Sequence, residues 1–201
     1  MRKDFVYLAS ASPRRGELLR QIGVRFRVRP AAIGEDVAPA ETPAAYVTRL
    51  AAQKADAVWA ELTSAEAAPV LAADTAVVLD DRVLGKPADQ AEAESMLGEL
   101  SGRTHRVLTA VALHADGGRA IELSTSEVRM RPTTPAERRA YACTGEPLDK
   151  AGGYGIQGYA AVFIESLNGS YSGVMGLPLF ETALLLARSG VPIWLPEGGA
   201  A

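Results

Sequence analysis

Tyr7-Leu-Ala-Ser-Ala-Ser-Pro-Arg-Arg-Gly-Glu-Leu-Leu-Arg-Gln-Ile-Gly23 sets the expectation for the whole chain. Apolar residues lead into Ser10-Ala11-Ser12, and Pro13 follows. Leu18, Leu19 and Ile22 then recur with helical spacing up to Gly23. Ser12 suits an N-cap, Pro13 the first helical position and Gly23 the residue just past the end, so the stretch reads as strand, tight turn and helix. Arg14 and Arg15 in the first helical turn are out of place. A helix N-terminus already carries roughly half a positive charge, and cations there are disfavoured by about 0.3–1 kcal/mol. An anion bound between them and the free N–H groups would explain the pair; two solvated arginines, or one paired with a nearby acid, would also do so.

Outward from this stretch, the chain alternates strands and helices and then turns to hairpins. Val24–Arg29 alternates apolar and charged residues and reads as a half-buried strand, followed by a loop with Glu35 and Asp36. Thr42-Pro43 opens a helix running to about Glu61. Its apolar stripe of Val47, Leu50, Ala51 and Val58 also includes Lys54, which either snorkels outward or reaches an anion in a cleft. Val70–Leu79 is an apolar run, suited to a buried strand, interrupted by Asp74; an acid there needs a partner, a metal or a raised pKa. Asp80-Asp81 reads as a hairpin turn, and Gly85-Lys86-Pro87 as a stiff turn presenting a lysine. A capped helix follows from Asp89 to Gly102, then a hairpin of Thr104–Ala115 and Arg119–Arg131. Thr134-Pro-Ala-Glu137 is a capping box, and Cys143 in the last turn of its helix is read as a packing residue.

Gly153-Tyr-Gly-Ile-Gln-Gly158 matches the dinucleotide-binding pattern by letter only. No helix is expected after it, because Ala160–Glu165 reads as a strand, so the glycines point to a loop passing close to a ligand. Asn168-Gly169 is read as a hairpin turn into Ser170–Met175, and Pro178 opens a last helix closed by Gly190. These elements predict a mixed α/β domain over 1–201, with a partly antiparallel twisted sheet flanked by helices and no linker dividing it. Residues 197–201 are expected to form a disordered tail.

Composition limits the function classes. A formal charge of −3 argues against broad binding of nucleic acid or anionic membranes. One cysteine excludes an internal disulfide, and with only His105 and His114 beside it a Cys/His zinc centre is excluded as well. No signal peptide or membrane span is visible, so a cytoplasmic protein is expected. The out-of-place charges are Arg14, Arg15, Lys54 and Lys86 among cations and Glu35, Asp74 and Asp149 among acids. Several cations with two or three carboxylates suit metal-assisted phosphate chemistry, in which magnesium takes carboxylates plus substrate phosphates. No P-loop and no Gly-x-Ser-x-Gly elbow is present.

A family resemblance rests on these same residues. Leu8-Ala-Ser-Ala-Ser-Pro-Arg-Arg15, Tyr46-Val-x-Arg49-Leu-Ala-x-x-Lys54-Ala, Ala72-Ala-Asp74-Thr75, Gly85-Lys86-Pro87, Asp149-Lys-Ala-Gly-Gly-Tyr-Gly-Ile-Gln157-Gly, Asn168-Gly-Ser-Tyr171 and Gly176-Leu-Pro-Leu resemble the Maf family of nucleotide pyrophosphatases, in the same order. The resemblance implies an α/β fold with a cleft between two lobes, and commonly a homodimer. It also implies hydrolysis of a nucleoside triphosphate to monophosphate and pyrophosphate with a divalent metal (Mg2+ or Mn2+). By that resemblance Asp74 would be the general base, and Glu35 and Asp74 would hold the metal, with Asp36 as the alternative acid to Glu35. Ser10, Arg14, Lys54 and Lys86 would line the triphosphate, and Arg15 would support the loop. Arg14, Thr75 and Gln157 stand at the base-selecting positions of the branch acting on dTTP and UTP. A primary amide such as Gln157 matches the acceptor–donor edge of thymine or uracil. The alternatives are the same chemistry on 7-methyl-GTP and a non-catalytic nucleotide-binding regulator of division.

Overall fold

The structure is a computed structural model that describes residues 4–195; the expected tail at 197–201 lies outside the described residues. In chain order the elements begin with β1 (Phe5–Leu8), α1 (Pro13–Gln21), β2 (Arg25–Val28), α2 (Pro43–Glu61), β3 (Val70–Leu79), β4 (Arg82–Leu84) and α3 (Gln90–Leu100). The hairpin β5 (Thr104–Ala115) and β6 (Gly118–Met130) follows, then α4 (Pro135–Ala142) and three 3-10 turns at Glu146–Asp149, Ala151–Gly153 and Tyr159–Phe163. The chain continues with β7 (Ile164–Asn168), α5 (Tyr171–Met175) and α6 (Leu179–Ser189).

The mixed α/β sheet has seven strands in the order β2-β1-β3-β5-β6-β7, with β4 also paired to β3. The β2-β1-β3 part is parallel and the rest antiparallel. The chain leaves β1 for β2 on one side, then crosses back to β3 on the other. Connections of this kind place successive helices on opposite faces. Accordingly α1, with Leu18 and Leu19, packs with α6 on one face, and α2, with Val47, Ala51 and Val58, packs on the other. The reversal of direction at the carboxyl end of β1 opens a crevice, the usual ligand position in such sheets.

β3 is the central strand, and all its residues except Thr75 are buried. Alternation of side chains sends Val70, Ala72, Ala76 and Val78 toward α2, and Leu71 and Ala73 toward α1 and α6. Val77 and Leu79 join a third cluster with Leu97, Leu100, Tyr154 and Phe163. Each large aliphatic side chain buried here contributes about 1.5–3 kcal/mol. One edge of β3 bonds β5 from Val70 to Val78. The other edge bonds β1 only at Val70 and Leu71 and β4 only from Val77 to Leu79. Between those partners the edge is open from Ala72 to Ala76, and Asp74 is at its middle.

Most helix ends follow their local chemistry. Thr42, Asp89 and Thr134 each accept a backbone N–H of the following turn, and Glu137 completes the capping box at Thr134. The Asp80-Asp81 turn has both residues at positive φ, which matches the twist of a two-residue hairpin. Four local expectations are corrected. Ser12 has N-cap backbone geometry, but its side chain caps nothing; its N–H donates to Ser10 Oγ at 3.2 Å. Ala160–Phe163 forms a 3-10 turn, so the strand expected from Ala160 starts at Ile164. Asn168-Gly169 turns into helix α5 rather than a returning strand, because Ser170 Oγ accepts the Gly173 N–H and caps a helix. Cys143 follows α4 as an exposed residue and is not packed in the core.

Candidate active site

The open edge of β3 forms the floor of a cleft of about 600 Å3, lined by Ser10, Arg14, Glu35, Lys54, Asp74, Thr75, Lys86 and Gln157. Arg15 and Asp149 line it as well, while Asp36, the alternative acid, does not. These lining residues come from the carboxyl end of β1, the start of α1, the loop after β2, α2, β3, the turn after β4 and the glycine-rich loop.

Asp74 and Thr75 are neighbours on β3 and so face opposite sides of the sheet. Asp74, on the α2 face, accepts a hydrogen bond from Lys54 Nζ at 2.7 Å. The same ammonium lies 2.5 Å from Glu35 Oε1. Lys54 is on the inward face of α2 and is only 8% exposed. It reaches carboxylates in the cleft rather than snorkelling to solvent. The two acids are pushed in opposite directions. Burial raises the Asp74 pKa, against the charge and hydrogen bond of Lys54. Burial also acts to raise Glu35, but the hydrogen bond and charge of Lys54, with the charges of Lys86 and Arg15, leave it below its ordinary value. The two carboxylates that share one ammonium therefore stand in different environments.

The Glu35 loop is fastened to the first turns of α2. Tyr46 Oη donates to the Glu35 carbonyl at 2.9 Å, and Arg49 Nη2 donates to the Asp36 carbonyl at 3.0 Å. Arg49 is itself held by both oxygens of Glu41. Glu35, not Asp36, is the acid brought to Lys54.

On the other face of β3, Arg15 joins three elements. Its Nη1 donates to Ser10 Oγ at 2.9 Å, its Nε to the Gly176 carbonyl at 2.8 Å, and its Nη2 is 3.5 Å from Thr75 Oγ1. Thr75 Oγ1 is also 3.0 Å from the Thr109 hydroxyl, which donates to the Gly173 carbonyl. Arg14 points the other way and pairs with Asp149 Oδ2 at 2.9 Å, across to the glycine-rich loop. The adjacent arginines thus serve different sides of the cleft. The extent of Arg15's bonding has no signal in the sequence beyond its position. Tyr46 and Arg49 show in the sequence only as members of the resemblance motif, with no role attached, and Thr109 only as a polar residue inside an apolar strand.

Lys86 follows β4, and the Gly85 carbonyl accepts the Gly152 N–H at 2.9 Å, which ties this turn to the glycine-rich loop. Gln157 is exposed in that loop. Among the described residues, neither the Lys86 ammonium nor the Gln157 amide has a hydrogen-bond or ion-pair partner of its own.

The donor set fits a hard divalent cation. Glu35 and Asp74 already converge on one positive charge, the Lys54 ammonium, and carboxylate oxygens are the ligands magnesium and manganese prefer. Among the described residues no group of three His, Cys, Asp or Glu forms a closed metal cage. Such an open set leaves coordination positions for substrate phosphate or water. No helix among the described residues is long and apolar enough to cross a membrane.

Comparison with known proteins identifies the family. The family model described as "Maf-like protein" matches residues 5–189. The chain is 50% identical over 199 residues to the dTTP/UTP pyrophosphatase of Nitrosomonas europaea, covering 94% of this chain and 96% of that protein. It is 53% identical over 200 residues to the dTTP/UTP pyrophosphatase of Aromatoleum aromaticum, covering 94% and 97%. It is also 53% identical over 188 residues to that of Methylobacillus flagellatus, covering 94% of each. With a match that spans both halves of the sheet and every side chain of the cleft, this chain belongs to the Maf family.

Proposed function

We propose that this protein hydrolyses dTTP and UTP to the nucleoside monophosphate and pyrophosphate. The observation that carries the reading is the buried Asp74–Lys54–Glu35 cluster at the open edge of β3, facing the unpaired amide of Gln157 across one cavity. The names of the similar proteins support the same substrates.

The water oxygen attacks the α-phosphorus, the bond from that phosphorus to the bridging oxygen of the β-phosphate breaks, and pyrophosphate leaves with the electron pair. Asp74 accepts the proton of the attacking water; its carboxylate is held at the open edge of β3 by the hydrogen bond from Lys54. Lys54, Lys86 and Arg14 neutralise charge on the triphosphate, and Ser10 and its neighbouring backbone bound the phosphate end of the cleft. Glu35 and Asp74 would hold the divalent cation, Mg2+ or Mn2+. When bound, such an ion neutralises phosphate charge and lowers the pKa of a coordinated water. Gln157 reads the base: its amide oxygen accepts from N3–H and its amide N–H donates to O4 of thymine or uracil. Thr75 and Arg14, which line the same cleft, act with it as selecting residues.

We take residues 1–201 as one catalytic unit whose two lobes flank the cleft, acting in the cytoplasm as a homodimer. Exposed Phe180 and Tyr159 supply apolar surface for such a contact. The test is pyrophosphate release from dTTP, UTP, CTP and 7-methyl-GTP with Mg2+ or Mn2+. Preferred release from dTTP and UTP is expected. Release chiefly from 7-methyl-GTP would contradict the substrate assignment, and none from any, with nucleotide still bound, would contradict an enzyme.

A further inference from the structure

The exposed amide of Gln157 needs a rigid mount, because a side chain that selects a base by hydrogen bonding loses discrimination when its backbone wanders. The mount is visible beneath it. The Gly158 N–H donates to the Gly155 carbonyl at 3.0 Å, so residues 155–158 form a tight turn with Ile156 and Gln157 at its centre. Ile156 is buried in the third core cluster. Under the turn is the carboxylate of Glu146, from the 3-10 turn after α4. Its Oε2 accepts the Tyr159 N–H at 2.9 Å, just past the turn. Its Oε1 accepts the Tyr141 hydroxyl at 2.8 Å, and that hydroxyl in turn accepts the Gly155 N–H at 3.3 Å. The contact is close: a Cβ on Gly158 would lie 2.5 Å from the Glu146 carboxyl carbon, whose oxygens are held by hydrogen bonds.

We propose that Glu146 is a positioning residue for base selection, clamping both ends of the Gly155–Gly158 turn so that the Gln157 amide is presented at a fixed place in the cleft. The inference rests on the reading of Gln157 as the base-selecting residue. Glu146 itself does not line the cleft, and its carboxylate is committed to the loop. It therefore acts through Gln157 and not on the phosphates, whose neutralising groups are carried by α1, α2 and the turn after β4. A carboxylate suits the task because both donors approach it and neither of its oxygens needs a proton. An amide at this position would turn an N–H toward one of them.

The test is steady-state kinetics on UTP and CTP for the wild type, Glu146→Ala, Gly158→Ala, Gln157→Ala and the double variant Glu146→Ala/Gln157→Ala, each checked by thermal melting. Glu146→Gln, which keeps one acceptor oxygen, serves if Glu146→Ala does not fold, and should give an intermediate effect. Glu146→Ala and Gly158→Ala are expected to raise KM for UTP about tenfold, the scale of one lost hydrogen bond, with kcat within roughly threefold and CTP values unchanged. In the Gln157→Ala background, Glu146→Ala should add nothing to the loss of preference. A UTP-over-CTP preference equal to the wild type's in folded Glu146→Ala or Glu146→Gln would overturn the inference, as would an equal further loss in the double variant. A wild type without UTP-over-CTP preference would instead overturn the base-reading assignment, and the role of Glu146 with it.

Discussion

Lys54 Nζ and Asp74 Oδ1 are 2.7 Å apart at the point where β3 has no strand partner on its cleft edge. The pairing explains how a carboxylate and an ammonium are both kept in the core. Each offsets the desolvation of the other, while Glu35 takes a second side of the lysine. Removing one partner of a buried pair leaves an uncompensated charge and costs more than the pair contributes. Lys54→Met should therefore destabilise the protein by about 3 kcal/mol, read from urea unfolding at pH 7. Pyrophosphate release should fall by roughly 10²–10³-fold, as for loss of a preorganised charge next to developing phosphate charge.

Arg15→Lys keeps the charge but loses the fork that reaches Ser10, Gly176 and Thr75 together. A lysine has too compact a head to reach all three acceptors. We expect kcat/KM on UTP to fall by roughly 10–100-fold, on the order of 1.4–2.7 kcal/mol. Arg14→Lys, whose guanidinium makes a single bond to the exposed Asp149, should lose less. Kinetics of both variants under one set of conditions decides whether Arg15 does more than support its loop.

His105 gives the chain an acid-side weakness. Its ring is buried, its Nε2 is 2.7 Å from Tyr154 Oη, and its Nδ1 has no hydrogen-bond partner among the described residues. Burial pushes its pKa down to about 4. The unfolded chain then binds this proton more readily than the folded one, so stability is full above the unfolded value of about 6.5 and declines as pH falls toward 4. The full span corresponds to about 3 kcal/mol. Urea midpoints measured from pH 7 to pH 4.5 should fall more steeply for the wild type than for His105→Gln, which has no proton to gain. Parallel slopes would show that His105 does not contribute.

The elements legible in the sequence are those whose signals are local. Thr42-Pro43, Asp89 and Thr134 cap their helices because a cap is decided within four residues. The apolar run of β3 shows as a strand because both its faces are covered. Asp74 and Lys54 stood out because each puts a charge where its element turns inward. The features without a local signal depend on distant partners. Asn168-Gly169 has the chemistry of a hairpin, but the chain does not return along β7: Ser170 is tied to Ser126 of β6, and its hydroxyl caps a helix instead. Arg14 and Arg15 cannot be told apart by composition. They separate only because successive helical residues point about 100° apart, one toward Asp149 and the other toward Ser10 and Gly176. The clamp of Glu146 on the glycine-rich turn is equally invisible, since Tyr141, Glu146, Gly155 and Tyr159 meet only after the 3-10 turns form.

In the proposed reaction Asp74 accepts the proton of the attacking water at the α-phosphorus. Asp74→Asn keeps the size and one acceptor oxygen of the side chain, so it separates proton acceptance from binding. The direct measurement is pyrophosphate release from UTP by this variant and the wild type, paired with equilibrium binding of UTP to both. The account predicts a kcat lower by about 10²–10⁴-fold with the dissociation constant within roughly threefold. A variant that keeps its kcat, or that loses binding and turnover equally, would contradict it.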